Sequence, residues 1–153
     1  VPSRSATDEA VRLAHELWSL LGGIPEITTA PEHDRLLALT SHLPHVLASA
    51  MARVLALNGI PRPELGPGGR DMTRLAGSSP EIWSAISADN APFIGHAVDV
   101  LREELDRFAA ALRGTDAAEL LRFFDVGRTW FEEDLPTGIG PQGTEVSSIR
   151  QTS

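Results

Sequence analysis

Two histidines and two arginines stand at spacings that could build one small binding site. His42 and His45 are three residues apart in "SHLPH", so on a helix both side chains can face the same way. Arg70 and Arg74 are four residues apart in "RDMTR", so both guanidinium groups can address one region. A planar guanidinium group suits carboxylates and phosphates. Together these residues indicate a small anionic ligand, most simply one with carboxylates.

The same histidines could instead bind a metal ion. A hydrolytic metal needs three or more converging ligands with carboxylates among them, and His33-Asp34 lies about two helical turns upstream of the pair. This doublet is similar to that of phosphohydrolases named for a His-Asp pair. Those enzymes need further His and Asp residues on other helices, and this sequence has no recognisable partner motif. A plainer role for Asp34 is to stabilise a helix N-terminus through the helix dipole.

The two arginines belong to a glycine-rich segment, "GPGGRDMTRLAGSS" (66–79). Glycine allows a backbone to approach a ligand closely, and Asp71 could brace an arginine or cap a short helix. The segment is not a phosphate loop, because it lacks Gly-Lys-Ser/Thr and no strand precedes it. The alternative is a surface turn with two solvated arginines. Trp83, a little further on, is either a pocket residue or a core residue.

The elements that must position these residues are nearly all predicted to be helices. Apolar residues recur at helical spacing through most of the chain, whereas "IPRPELGPGGR" (60–70) is predicted to be an irregular loop. The 31–58 helix is apolar round most of its circumference, which predicts burial on several sides. The predicted helices span residues 5–22, 31–58 and 71–77, a segment begun by a capping box at Ser78 and Glu81, residues 91–113, and a segment from Thr115 or Asp116 to near Leu135.

Two features interrupt the helical pattern. Pro44 lies inside the 31–58 helix, where it removes one backbone hydrogen bond and clashes with the carbonyl group of Thr40. We therefore expect a kink there. "IPEITT" (24–29) is rich in β-branched residues and predicts a short strand. A single strand has no ladder partner, so the first helix and this strand are interpreted as the end of an α/β domain that has been cut off.

Composition excludes several classes of protein. The chain has 153 residues, of which 42% are apolar, and a formal net charge of −8. It has no cysteine, which excludes disulfides, thiolate catalysis and cysteine-bound zinc. An acidic chain without a basic stripe predicts no nucleic-acid partner. Because no apolar run approaches the roughly 20 residues that span a bilayer, and no signal pattern opens the chain, we expect a cytoplasmic protein with no membrane partner.

Three segments together resemble one family, the prephenate and arogenate dehydrogenases. "PEHDRLLALTSHLPHVLASA" is similar to the start of that family's helical domain, and "GPGGRDMTRLAGSSPEIWSAISADN" to its second signature. "DEAVRLAHELWSLLGGIPEITTAPEHD" is similar to the last helix and strand of the preceding nucleotide-binding domain. The resemblance covers about residues 6–134. It implies a mainly α fold, namely a helical dimerisation domain of the prephenate dehydrogenase type, preceded by a remnant αβ unit of a truncated nucleotide-binding domain.

The resemblance also implies domain boundaries and an activity. Residues 1–29 would be the remnant of the Rossmann-type domain, and 30–135 the helical dimerisation and substrate domain. Few apolar residues and many helix breakers predict a flexible tail at 136–153. In that family the Rossmann-type domain binds NAD or NADP, while the helical domain forms a homodimer and closes the substrate pocket. The reaction is an oxidative decarboxylation in tyrosine biosynthesis. Prephenate gives 4-hydroxyphenylpyruvate, or arogenate gives tyrosine.

For the arginine-bearing segment, the resemblance implies individual roles. Arg74 should bind a substrate carboxylate, and Asp71 should hold the helix that carries the arginines. Arg70 matches a basic position near the substrate side chain, reached from the dimer mate. Trp83 matches an aromatic position close to that same end of the substrate.

For the histidine pair, the implied roles divide between substrate and cofactor. His45 should contact the substrate. Ser41 and His42 should lie near the nicotinamide end of the pocket. No metal ion is implied.

The chain departs from the family pattern in ways that limit its activity. No Gly-x-Gly-x-x-Gly follows a strand, so the dinucleotide fingerprint is absent. The family's catalytic histidine lies in the nucleotide-binding half, so no catalytic residue is expected in this chain. Pro67 stands where the family commonly has a third glycine. We interpret the chain as a C-terminal part, through truncation, a split gene or an expression fragment, that is inactive alone. The alternatives are a free-standing helical ligand-binding or dimerisation module without catalysis, and the His-Asp phosphohydrolase.

Overall fold

A computed structural model describes the protein from residue 6 to residue 132, and every regular element in that part is helical. The predicted mainly α fold is therefore confirmed, whereas the predicted tail at 136–153 lies outside the described residues. None of these helices is both long enough and apolar enough to cross a membrane. The α-helices are α1 (Asp8–Leu20), α2 (Ala30–Leu37), α3 (Leu43–Leu57), α4 (Pro67–Met72), α5 (Pro80–Asp89), α6 (Ala91–Gly114) and α7 (Ala117–Glu132).

The predicted strand at 24–29 is wrong. These residues form an irregular linker between α1 and α2. Strand propensity expresses how well side chains fit a paired, half-buried sheet, and the described residues contain no second strand to pair with. Within the described structure, the expected αβ unit is therefore a helix followed by a linker.

A reciprocal cap begins α2. The Thr29 side chain accepts a hydrogen bond from the Glu32 backbone N–H, and the Glu32 carboxylate accepts one from the Thr29 backbone N–H at 3.1 Å. The same carboxylate accepts the Thr29 hydroxyl at 2.7 Å, and this contact is the main reason that the pKa of Glu32 lies below its ordinary value. This cap places the start of the long helix where Pro31 predicted it.

The long predicted helix is confirmed as one continuous helical path from α2 to α3, but it widens into a π-helical turn at Ala38–His42. Leu43 N–H donates to the Ala38 carbonyl, five residues back, instead of four. Pro44 follows at once and has no N–H to offer the Thr40 carbonyl, and its ring would clash with that carbonyl in a regular α-helix. The wider turn makes room for the ring. The disturbance expected at Pro44 thus takes the form of a π turn just before it.

The glycine-rich segment is more helical than its sequence predicted. A 3₁₀ turn covers Arg62–Glu64, and α4 already begins at Pro67, inside the stretch predicted to be irregular. Proline suits that first position because the first N–H of a helix has no intrahelical partner. A second 3₁₀ turn, Arg74–Gly77, follows α4.

The cap of α5 lies one residue later than predicted. Ser79, not Ser78, accepts the Ile82 N–H at 3.4 Å, and its hydroxyl donates to the Glu81 carboxylate at 2.7 Å. Ser78 instead closes the preceding 3₁₀ turn, which sequence spacing did not reveal. At α7 the predicted cap is confirmed for Asp116, whose carboxylate accepts two backbone N–H groups.

The chain divides into two compact units, residues 1–101 and 102–153, and all the candidate site residues belong to the first. The core of the first unit is built from small side chains, chiefly Ala38, Ala48 and Ala97, together with Ile94. Small residues at contact points let helices pack closely. The burial predicted round the 31–58 helix is incomplete in the single chain, because several of its apolar side chains are at least half exposed: Leu36, Leu39, Val54 and Leu57.

Candidate functional site

The first unit brings both candidate histidines against the candidate tryptophan. The rings of His45 and Trp83 are stacked, with centroids 3.5 Å apart and an interplanar angle of 22°. His42 approaches the same indole at 6.0 Å and 75°, an edge-on arrangement. His42 comes from the π turn, His45 from α3 and Trp83 from α5. Three residues from two separate sequence segments therefore form one aromatic cluster.

His45 is held toward its neutral form. Burial is the largest cause that lowers its pKa, and the neighbouring His42 and Arg74 act in the same direction. Its Nδ1 atom is buried and has no hydrogen-bond partner within the described residues. A neutral imidazole keeps one donor and one acceptor nitrogen. His45 therefore presents a flat, uncharged ring at neutral pH.

Replacing Trp83 by leucine should raise the pKa of His45 toward its ordinary value, because water regains access to one face of the ring. An NMR pH titration of the His45 ring protons measures this shift. The matched control is Trp18→Leu, which changes an exposed tryptophan on α1 and should leave the His45 titration in place. An unchanged His45 titration in Trp83→Leu would contradict burial against the indole as the cause of the lowered pKa.

The lowered pKa of His45 also determines how the stability of the folded chain changes with pH. His45 binds its proton less readily in the folded chain, so the unfolded chain takes up more protons as the pH falls below about 6.5. The contribution of His45 to the free energy of unfolding is therefore largest above that pH and declines on acidification.

His42 lies deeper than His45 and belongs to a small polar network. It is 8% exposed, and its Nδ1 atom lies 3.1 Å from the amide nitrogen of Asn90, which is itself 7% exposed. The same amide nitrogen donates to the backbone carbonyl of Asp34 at 2.8 Å. Sequence reasoning missed Asn90, because an asparagine between two helices is an ordinary helix end. Ser41 lies beside His42 in the π turn and is half-buried.

The two candidate arginines differ in how they are held. Arg70 donates from Nε to the Leu65 carbonyl at 2.9 Å and from Nη2 to the Pro63 carbonyl at 3.1 Å, so its guanidinium group fastens its own loop. Arg74 lies in the 3₁₀ turn after α4, and among residues 6–132 no carboxylate forms an ion pair with it. Asp71 is exposed and makes no hydrogen bond to either arginine in that range. The bracing role of Asp71 stays a prediction.

Two open cavities adjoin at Ala76 and divide the candidate residues between them. One, of about 420 Å³, has His45 and Trp83 in its wall. The other, of about 610 Å³, has Arg74 in its wall. A ligand that touched both His45 and Arg74 would have to extend across this junction. The rest of the first cavity is lined half by serine side chains, namely Ser49, Ser78, Ser84 and Ser87, and half by apolar residues.

The side chains of the doublet His33-Asp34 contact each other. His33 Nδ1 lies 3.0 Å from the carboxylate of its own neighbour, Asp34. In the part of the chain that the structure covers, no three His, Asp or Glu side chains come together as a metal-holding group. The geometry of these two residues is that of a partly exposed pair near the start of α2.

Comparison with known proteins places the chain beside one group of enzymes. A family model described as "Prephenate dehydrogenase, dimerization domain" matches residues 29–126. The cyclohexadienyl dehydrogenase of Zymomonas mobilis is 31% identical over 128 residues, which are 80% of this chain and 44% of that protein. The prephenate dehydrogenase of Lactococcus lactis is 29% identical over 122 residues, 75% of this chain and 34% of that protein.

Solved structures agree with the fold. Prephenate dehydrogenase from Aquifex aeolicus, in complex with hydroxyphenyl propionate and NAD⁺, matches with a TM-score of 0.73 at 23% identity over 86% of this chain and 48% of that one. Synechocystis arogenate dehydrogenase matches with a TM-score of 0.70 at 21% identity, over 86% of this chain and 49% of that one. The chain spans less than half the length of these relatives.

Proposed function

The chain belongs to the prephenate dehydrogenase family, and we propose that it forms the substrate-binding and dimerising part of such an enzyme. The proposed reaction is the oxidative decarboxylation of prephenate to 4-hydroxyphenylpyruvate, or of arogenate to tyrosine, with NAD or NADP. The observation that carries the proposal is the stack of His45 on Trp83 next to a guanidinium group, Arg74, that lacks a carboxylate partner in the described chain. The family match favours this function over the His-Asp phosphohydrolase.

We assign the substrate to the adjoining cavities. Arg74 binds a carboxylate of the substrate, since guanidinium and carboxylate form charge-assisted hydrogen bonds. The uncharged His45 ring contacts the substrate while Trp83 holds that ring in place from its other side. Arg70, fastened to its own loop, contributes positive charge near the substrate side chain. These interactions would hold the carboxylate and the ring of the substrate in one orientation.

The described residues do not by themselves form a dinucleotide site. Such a site needs a strand, a glycine-rich turn and a helix N-terminus in sequence, and no strand occurs between residues 6 and 132. Ser41 and His42 are therefore proposed only to lie near the nicotinamide, with the rest of NAD or NADP held by residues outside the range 6–132.

A second copy of the chain is the other proposed partner. The matched family model describes a dimerization domain. Apolar side chains on α3 and α7 stay exposed in the single chain, and a homodimer would cover such surfaces. The α3 face belongs to the first compact unit and the α7 face to the second.

Calorimetry with the 153-residue chain tests the proposed site directly. We expect 4-hydroxyphenylpyruvate to bind in the millimolar range or tighter. The matched control is 4-hydroxyphenylacetone, which keeps the ring and ketone but lacks the carboxylate, and which should bind at least about tenfold more weakly. Absence of binding at millimolar 4-hydroxyphenylpyruvate, or equal binding of both compounds, would contradict a carboxylate-reading pocket.

A further inference from the structure

We propose that Asn90 is a positioning residue that fixes the ring of His42 in its neutral form, with the proton on Nε2. Asn90 and His42 are both buried, and one amide nitrogen joins His42 Nδ1 to the Asp34 carbonyl. Only the consequence for a bound ligand rests on the proposed function. The protonation form itself follows from hydrogen-bond chemistry within the chain.

The Asp34 carbonyl determines which way the Asn90 amide faces. A backbone carbonyl oxygen only accepts hydrogen bonds, so the group 2.8 Å from it must be the amide nitrogen and not the amide oxygen. That nitrogen carries two hydrogens, and one of them points to Asp34. The second is available to His42 Nδ1 at 3.1 Å. Since an amide nitrogen cannot accept, Nδ1 must be unprotonated, and the ring proton lies on Nε2.

The backbone holds Asn90 in the place that this arrangement needs. Asn90 lies between α5 and α6, where its N–H donates to the Ile86 carbonyl at 3.1 Å and its own carbonyl accepts the Ile94 N–H at 3.0 Å. His42 belongs to the π turn and Asp34 to α2. One buried amide therefore ties the α5–α6 junction to α2 and to the π turn. Burial strengthens such hydrogen bonds and makes an unpaired partner costly.

The position of the proton on His42 determines which ligand groups the site can recognise. Three groups at the candidate site could carry positive charge, namely His42, His45 and Arg74. With the Asn90 amide donating to Nδ1, His42 offers a neutral N–H donor, and burial disfavours the charged form of His45. Arg74 is then the permanent cation of the three. In the proposed pocket, His42 would recognise an acceptor oxygen of a ligand or cofactor without adding charge.

The experiment is an NMR measurement of ring nitrogens in the 153-residue chain at pH 8, with His42 identified by the signals lost in His42→Gln. In the wild type we expect Nε2 protonated and Nδ1 unprotonated. In Asn90→Asp, the nearly isosteric carboxylate can only accept, so Nδ1 should become protonated whether or not Nε2 keeps its proton. The matched control is Asn58→Asp, because Asn58 also donates to a carbonyl at a helix end, Val54 at 2.8 Å, but is exposed. It should leave the His42 signals unchanged.

Two results would overturn the proposal: a wild-type His42 protonated on Nδ1, or a folded Asn90→Asp chain in which Nδ1 stays unprotonated. If circular dichroism shows that Asn90→Asp does not fold, Asn90→Ala replaces it and should give a mixture of both ring forms, whereas a single unchanged form would refute the role of Asn90. The proposed function is judged separately, by whether 4-hydroxyphenylpyruvate binds to the wild-type chain in calorimetry. The ring-nitrogen signals need no ligand, so the two failures are distinguishable.

Discussion

Arg74→Gln is expected to weaken binding of 4-hydroxyphenylpyruvate to the chain by about tenfold or more. Hydrogen bonds to charged groups contribute about 1.5–3 kcal/mol, and about 1.4 kcal/mol corresponds to a factor of ten in affinity. The exposed position of Arg74 places the effect at the lower end of that range, because solvent screens exposed charges. No carboxylate between residues 6 and 132 occupies its guanidinium group, so a ligand carboxylate meets no competitor there.

Calorimetry compares Arg74→Gln with a control of equal charge change. Arg53→Gln removes an exposed arginine two turns beyond His45 on α3 and should leave the affinity unchanged. Arg74→Lys should retain part of the affinity, since lysine keeps the charge but loses the planar fork. Equal weakening by Arg53→Gln would mean that only net charge matters, and an unchanged affinity in Arg74→Gln would remove Arg74 from the site.

The contrast between the two arginines could not be predicted from their spacing. Positions four apart on a helix share a face, and on that basis Arg70 and Arg74 were expected to address one region. However, α4 ends at Met72 and a 3₁₀ turn carries Arg74, so the regular helical phase does not hold between them. Arg70 turns back to the carbonyls of its own loop. The sequence alone shows neither the change from α-helix to 3₁₀ turn after Met72 nor that the Leu65 carbonyl, five residues before Arg70, can accept its guanidinium group.

Helix starts were predictable where one local interaction decides them. Pro31 and Asp116 mark true starts, because capping depends on neighbours within three residues. Pro44 correctly marked a disturbance but not its form, since a kink and a π turn both relieve the same clash. The strand expected at 24–29 failed because β-branched residues favour a strand only where another strand pairs with them.

The aromatic cluster could not be predicted from the sequence, because its residues lie far apart along the chain. His45 and Trp83 stack although no periodicity links α3 to α5. The family resemblance named both as substrate-side residues, but it did not predict their direct contact. Asn90 carried no signal at all, because its function depends on a carbonyl in α2 and a ring in the π turn. Buried polar networks of this kind become visible only when the packing is known.

The exposed apolar row on α7 predicts that charged substitutions there will separate a dimer. Leu121, Phe124 and Phe131 recur at spacings of three and seven, so they lie on one side of the helix, and they are 71%, 64% and 83% exposed. Full burial of one such side chain is worth about 1.5–3 kcal/mol, and two-fold symmetry makes each contribute twice. A glutamate at such a position would instead bury an unpaired charge.

Sedimentation at tens of micromolar should therefore show a dimer for the wild type and a monomer for Leu121→Glu/Phe131→Glu. The control is Leu17→Glu, which places one such charge on an exposed leucine of α1 and should remain dimeric. A monomeric wild type, or a dimeric double variant, would contradict the role of this row in the dimer.

The same double variant connects assembly with the site. If Arg70 reaches the substrate from the dimer mate, a monomer loses that positive charge from its pocket while it keeps His45, Trp83 and Arg74. The monomeric variant should then bind 4-hydroxyphenylpyruvate more weakly than the Leu17→Glu control, with the stacked His45 ring unchanged in its NMR titration. Equal affinity in both would assign Arg70 to its own loop alone, because the two carbonyl contacts already account for its position.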